Sequence, residues 1–167
     1  MAKTRLLIIG ILISALTVLC WSRGLVYTDE ASLWGDAAKR SPLKPRVLNN
    51  YGHGLKESFR LEEAAHEFEM AIALQPDYAD ALNNLATVYN SIGRRSEMPG
   101  LLQRALAADP NHVSARFNLA MYYYETGHFL EALGEYTLIL DHHPYSKEAA
   151  FSQSMTRLIQ QQLARPL

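Results

Sequence analysis

The sequence predicts an all-α protein: a short solenoid of stacked helix pairs behind a single apolar N-terminal helix. Three observations carry that expectation. Prolines recur at Pro42, Pro76, Pro110 and Pro144, each 34 residues after the one before. Other positions keep the same spacing and residue type between them. Ahead of the first proline, Leu6–Trp21 runs sixteen residues without a charge.

The N-terminal segment, residues 1–27, differs in composition from everything after it. Lys3 and Arg5 precede the apolar run, and extension to Tyr27 gives about 20 residues, enough to span a bilayer. Trp21, Arg23 and Tyr27 suit a membrane–water interface, and the leading positive charge favours a cytoplasmic N-terminus. The expectation is a retained signal anchor: single-pass in the inner (cytoplasmic) membrane, N-terminus inside, the rest extracytoplasmic. A cleaved signal, with small residues at Ser22 and Gly24, is the alternative and would leave a secreted or periplasmic product. A lipoprotein signal ending at Cys20 fits less well, because Leu19 stands where a small residue is needed.

From residue 28 on, the columns are regular. Trp34, Phe68, Leu102 and Tyr136 align, as do Ala37, Ala71 and Ala105, with Ile139 breaking that column. Gly52, Ala86 and Ala120 form a small-residue column, Tyr51, Leu85 and Leu119 a second, and Leu55, Tyr89 and Tyr123 a third. Asn50, Asn84 and Asn118 are identical. A period of this length is the mark of a repeat architecture. One unit cannot bury its own apolar face, so neighbours must stack.

These columns resemble the tetratricopeptide (TPR) repeat, W-x2-L-G-x2-Y, then A-x3-F, then P. The resemblance implies a right-handed solenoid and sets boundaries: a half-repeat at 28–44, three repeats at 45–146 (45–78, 79–112 and 113–146), and a solvating cap helix at 147–167. Small residues at 52, 86 and 120 let the first helix of each repeat approach the second, and large residues at 68, 102 and 136 fill the space between repeats. In the cap, Ala150, Phe151, Met155, Leu158 and Ile159 follow helical spacing and read as its buried face. Three departures stand out. Met98-Pro99-Gly100 requires a helix starting near Ser96, so that the proline falls in its first turn. Arg116 occupies an apolar position. Phe59 stands where the other repeats have Gly93 and Gly127, so a different turn is expected there.

A second resemblance covers roughly residues 20–78. YTDEASLWGDAAKRSP followed by NNYG is similar to the stretch after the last membrane helix in TPR-bearing relatives of protein O-mannosyltransferases. It implies a membrane helix leading directly into extracytoplasmic repeats. Their multi-spanning catalytic part has no counterpart here, so their transferase activity does not carry over.

Composition narrows the function. Sixteen Lys+Arg against seventeen Asp+Glu, net charge −1, disfavour nucleic acid as a partner. The single cysteine excludes an intrachain disulfide or an all-Cys metal site. The six histidines form no His-Glu-x-x-His set, and adjacent His142 and His143 diverge on a helix. Glu62, Glu63, Glu67 and Glu69 read as a solvated helix face. No catalytic residue, cofactor, metal or small-molecule substrate is expected, and the protein is read as a non-enzyme.

The remaining candidate site is the concave face that the first helices line in TPR domains. By register it carries Asn49, Asn50 and His53, then Asn83, Asn84 and Thr87, then Phe117, Asn118, Met121 and Tyr124. Amides both donate and accept, which suits an extended peptide backbone. In related superhelical TPR domains an asparagine ladder grips such a backbone, and Asn50, Asn84 and Asn118 match it. The other reading is that these amides hold the helices together. Phe117, Met121 and Tyr124, at i, i+4 and i+7, are either covered by the final helix or open as a binding patch; the open patch is the expectation. The two-carboxylate clamp of chaperone-tail binders needs Lys and Arg where Asn49, Ser114 and Asn118 stand. The function that follows is a membrane-anchored scaffold in an envelope-assembly, secretion or surface-polymer system, with a protein or peptide in its groove. The alternative is an accessory subunit presenting acceptor proteins to a separate membrane glycosyltransferase.

Overall fold

The computed structural model describes Ile9, residues 12–21 and residues 29–164. Residues 12–21 are helical, and Leu12, Ile13, Leu16, Val18, Leu19 and Trp21 are all exposed. Among the described residues no helix is long and apolar enough to cross a membrane. Much of the expected anchor, including Lys3, Arg5, Arg23 and Tyr27, lies outside the described residues.

Eight helices follow: α1 (Glu30–Arg40), α2 (Pro45–Glu57), α3 (Leu61–Leu74), α4 (Ala79–Ser91), α5 (Met98–Ala108), α6 (Val113–Glu125), α7 (Phe129–His142) and α8 (Ala149–Leu163). No strand occurs among the described residues. Each helix packs on its neighbour in sequence, and α2, α4 and α6 also touch in series. The short connections make neighbours antiparallel.

The period recurs in the backbone hydrogen bonds. Each between-repeat turn closes in the same way: Gln75 N–H to Ala71 O (2.9 Å), Asp109 to Ala105 (2.8 Å), His143 to Ile139 (2.8 Å). So does each within-repeat turn, from Arg60 N–H to Leu55 O (2.9 Å), Arg94 to Tyr89 (2.8 Å) and His128 to Tyr123 (2.8 Å). This six-to-one closure needs a left-handed residue just before the donor. Gly93 (φ 83°) and Gly127 (φ 81°) supply it without strain, and Phe59 adopts it too, at φ 58°. The expected difference at this turn is therefore absent from the backbone; the closure imposes its geometry on a residue with a Cβ.

Packing follows the columns. Phe68, Leu102 and Tyr136 are fully buried, as are Ala71, Ala105 and Ile139. They belong to a succession of small clusters along the stack. Full burial of one of the larger of these, Phe68, Leu102 or Ile139, contributes roughly 1.5–3 kcal/mol. A Cβ on Gly52 would stand 2.8 Å from the Phe68 ring. The Met98-Pro99-Gly100 departure is accommodated as expected, with a 3-10 turn at Arg95–Glu97 and proline at the start of α5. Arg116 is satisfied, its guanidinium donating to Glu135 Oε2 (2.8 Å) and to the Pro110 carbonyl (2.7 Å).

Two faces are turned from where the sequence puts them. In α1 the buried residues are Ala31, Gly35 and Ala38, whereas Trp34 and Ala37 are half-buried. That is one residue on from the repeat column, about 100° around the helix. Among the described residues no first helix precedes α1 in its half-repeat, and α1 packs chiefly on α2. At Gly54 a Cβ would stand 2.6 Å from the Ala31 backbone nitrogen, so the two helices nearly touch there. In α8 the buried residues are Ala149, Ser152, Met155 and Ile159, while Ala150, Phe151 and Leu158 are exposed. Ala150, Gln153, Ser154 and Arg157 occupy the columns that would receive a further second helix, and all are exposed.

Candidate peptide groove

The asparagines of α2, α4 and α6 are joined across repeats. Asn84 Nδ2 donates to Asn49 Oδ1 at 3.1 Å, and Asn118 Nδ2 donates to Asn83 Oδ1 at 2.8 Å. Asn49 and Asn83 are buried, so an unpaired carbonyl there would be costly. The ladder thus ties repeat one to two and two to three. Asn50, Asn84 and Asn118 remain half-buried at the surface. Among the described residues, neither Asn84 nor Asn118 uses its own Oδ1 in a hydrogen bond. One amide can therefore lock a neighbour and still offer an acceptor and a second N–H. Thr87 Oγ1 is engaged locally, donating to Asn84 O at 2.7 Å.

At one end of this face, Asn49, Asn50 and His53 line a cleft of about 340 Å³ with Glu30 and Trp34 of α1. His53 Nδ1 lies 3.4 Å from Glu30 Oε2. The rotation of α1 brings the Trp34 indole here, and no column pattern announces it.

At the other end, Phe117, Met121 and Tyr124 are half-buried and packed into the Tyr136–Ile159 cluster. Phe117 meets Tyr136 and Phe151 edge-on at 6.2 and 5.4 Å. Tyr124 packs against Phe129 at 5.7 Å, and Tyr136 Oη donates to Met121 Sδ at 3.0 Å. Burial pushes the Tyr136 phenol well above its ordinary range. The stripe is thus partly covered by α7 and α8. The open apolar surface at this end includes Phe151 and Leu158, 45% and 44% exposed. They stand one repeat on from Phe117 and Tyr124, so the 34-residue spacing was a usable signal for them.

The helix pairs, the shared turn closures and the cross-repeat asparagines define a class: short solenoids of stacked helical repeats. The family model for the tetratricopeptide repeat matches residues 101–134. The human protein O-mannosyl-transferase TMTC1 is 33% identical over 63 residues, 38% of this chain and 7% of that protein. The mouse protein of that name is 34% identical over 63 residues, with the same coverage. Both resemblances read from the sequence therefore hold, although the chain spans only about 7% of the length of these relatives. Among solved structures, yeast Tom70 aligns with TM-score 0.72 at 20% identity, covering 79% of this chain and 29% of that one. The Thermus thermophilus TPR protein TTC0263 aligns at 0.69 and 22%, covering 83% and 76%. The first TPR of Spaghetti (RPAP3), solved with an HSP90 peptide, aligns at 0.66 and 20%, covering 73% and 94%. At these identities the likeness is one of fold.

Proposed function

We propose that this chain is a protein-interaction scaffold that holds an extended segment of a partner along α2, α4 and α6. The observation that carries the reading is the asparagine ladder, in which the surface amides of Asn84 and Asn118 keep an acceptor and a donor each while bonding across repeats. The RPAP3 domain, a TPR solved with a bound HSP90 peptide, supports the same use of the fold. The present chain lacks the cations of a carboxylate clamp at Asn49, Ser114 and Asn118, so an acidic tail such as SRMEEVD is not its expected ligand. The amide centre and the Phe151–Leu158 wall suit a neutral segment with an apolar anchor. The role is binding rather than catalysis. Residues 1–27 anchor the chain in the inner membrane with the repeats outside, in an envelope-assembly, secretion or surface-polymer system.

Affinity purification of the tagged full chain from membranes tests this. Phe151→Ser with Leu158→Ser touches exposed groups and should leave helix content intact while abolishing co-purification of the partner. Retained capture would move the site off the groove. A reporter active only outside the cytoplasm, fused after Leu167, should be active if the topology is right.

The match to protein O-mannosyl-transferase TMTC1 favours a second reading, an accessory subunit that presents acceptor proteins to a separate membrane glycosyltransferase. Recovery of a multi-spanning transferase in the same purification supports it; its absence there removes it.

A further inference from the structure

Phe59 is the one non-glycine residue with positive φ among the described residues, and its side chain is 88% exposed. The left-handed backbone is unfavourable for a residue with a Cβ, and an exposed benzyl group recovers nothing by packing. The other two repeats avoid both costs with glycine. With the side chain 88% exposed, packing within the fold gives no reason for phenylalanine there.

Its position points to a surface outside the fold. All three within-repeat turns lie along one edge of the stack, opposite the edge that carries the repeat prolines. The start of α1 reaches the same edge, since Asp29 and Ser32 line one cleft with Ser58 and Arg60. At the third turn Leu130, 69% exposed, projects from the beginning of α7. Between Trp21 of the exposed apolar helix and Asp29 stand only residues 22–28. Eight residue steps from Trp21 to Asp29 reach at most about 29 Å. If the apolar helix is in a bilayer, the start of α1, and with it this edge, is tethered within that distance of the membrane surface.

We propose that the within-repeat-turn edge rests on the bilayer interface, with Phe59 and Leu130 inserted among the lipids. The inference rests on the anchored reading above. The arginines of the edge are paired within the fold, Arg60 with Glu63, Arg94 with Glu97 and Arg95 with Glu125, and Glu57 and Glu131 add carboxylates beside Phe59 and Leu130, so the edge offers no net positive charge to lipid. Acidic lipid should therefore not strengthen the contact. Docked in this way, the solenoid presents its groove at a fixed height above the membrane.

The test uses the full chain in phosphatidylcholine vesicles. In a Cys20→Ser background, Glu57→Cys and Glu131→Cys place a fluorescent label beside Phe59 and Leu130, and Asn111→Cys places one on the opposite edge. Lipid-borne nitroxide should quench the first two at least threefold more than the third. Phe59→Asp, added to the Glu57→Cys protein, should remove most of that difference. Equal quenching at all three positions in vesicle-bound protein overturns the proposal and leaves anchoring intact. Failure of the chain to float with vesicles overturns both.

Discussion

Phe59 also makes a prediction in water, where no bilayer is available. Phe59→Gly keeps the hydrogen bonds of the turn and relieves the left-handed strain, so it should stabilise the detergent-solubilised chain by about 1 kcal/mol in urea melts. Gly54 behaves in the opposite way. In Gly54→Ala the new methyl would meet backbone atoms of Glu30 and Ala31, which cannot step aside as a side chain can. The expected loss is about 1–3 kcal/mol, seen as faster hydrogen exchange confined to α1 and α2. Gly52→Ala should be milder, because its neighbour is the Phe68 ring and the other repeats already carry Ala86 and Ala120. Gly52→Leu should wedge α2 from α3 outright. Glu67 supplies a pH test. Burial pushes its carboxyl above the ordinary range, with His66 opposing and Glu63 adding. A raised folded-state pKa gives stability that is present in acid and lost as pH rises through it. Glu67→Gln should therefore raise Tm at neutral pH, with the gain disappearing below the ordinary carboxylate range.

At the scale of elements, the helices were legible and two of their faces were not. Proline spacing and the columns place α2 to α7, because every one of these helices has neighbours on both sides and must satisfy the same contacts. Among the described residues the terminal helices α1 and α8 lack one neighbour each, so their orientation follows chiefly from the partner they pack on. The consequence for α8 is measurable. Ile159→Ala removes a fully buried side chain and should cost roughly 2–5 kcal/mol, whereas Leu158→Ala should change stability by less than about 0.5 kcal/mol. The sequence pattern alone puts both residues on the same buried face, so urea melts of this pair separate the two accounts.

The whole molecule is coupled repeat to repeat, with stability close to a sum of unit and interface contributions. The asparagine bonds are part of those interfaces. Asn84→Ala removes the donor to buried Asn49 and should cost about 1–3 kcal/mol. Its effect should be local: exchange protection falls in α2 and α3, and α6 to α8 keep theirs. Uniform loss of protection would mean that the stack melts as one unit.

The sequence by itself determined the period, the six inner helices, the columns that fill the core and the run of amides along one face. It did so because a repeated packing environment demands the same residue type at each turn. Only the tertiary structure decided what those amides do, since a hydrogen bond between residues 35 apart depends on how two helices are set against each other. The same holds at the ends of the groove. Trp34 enters it because α1 is free to rotate, and Phe151 and Leu158 extend it because α8 turns other residues inward. Phe59 takes a glycine's conformation because the hydrogen bonds around it fix the backbone before the side chain has any say.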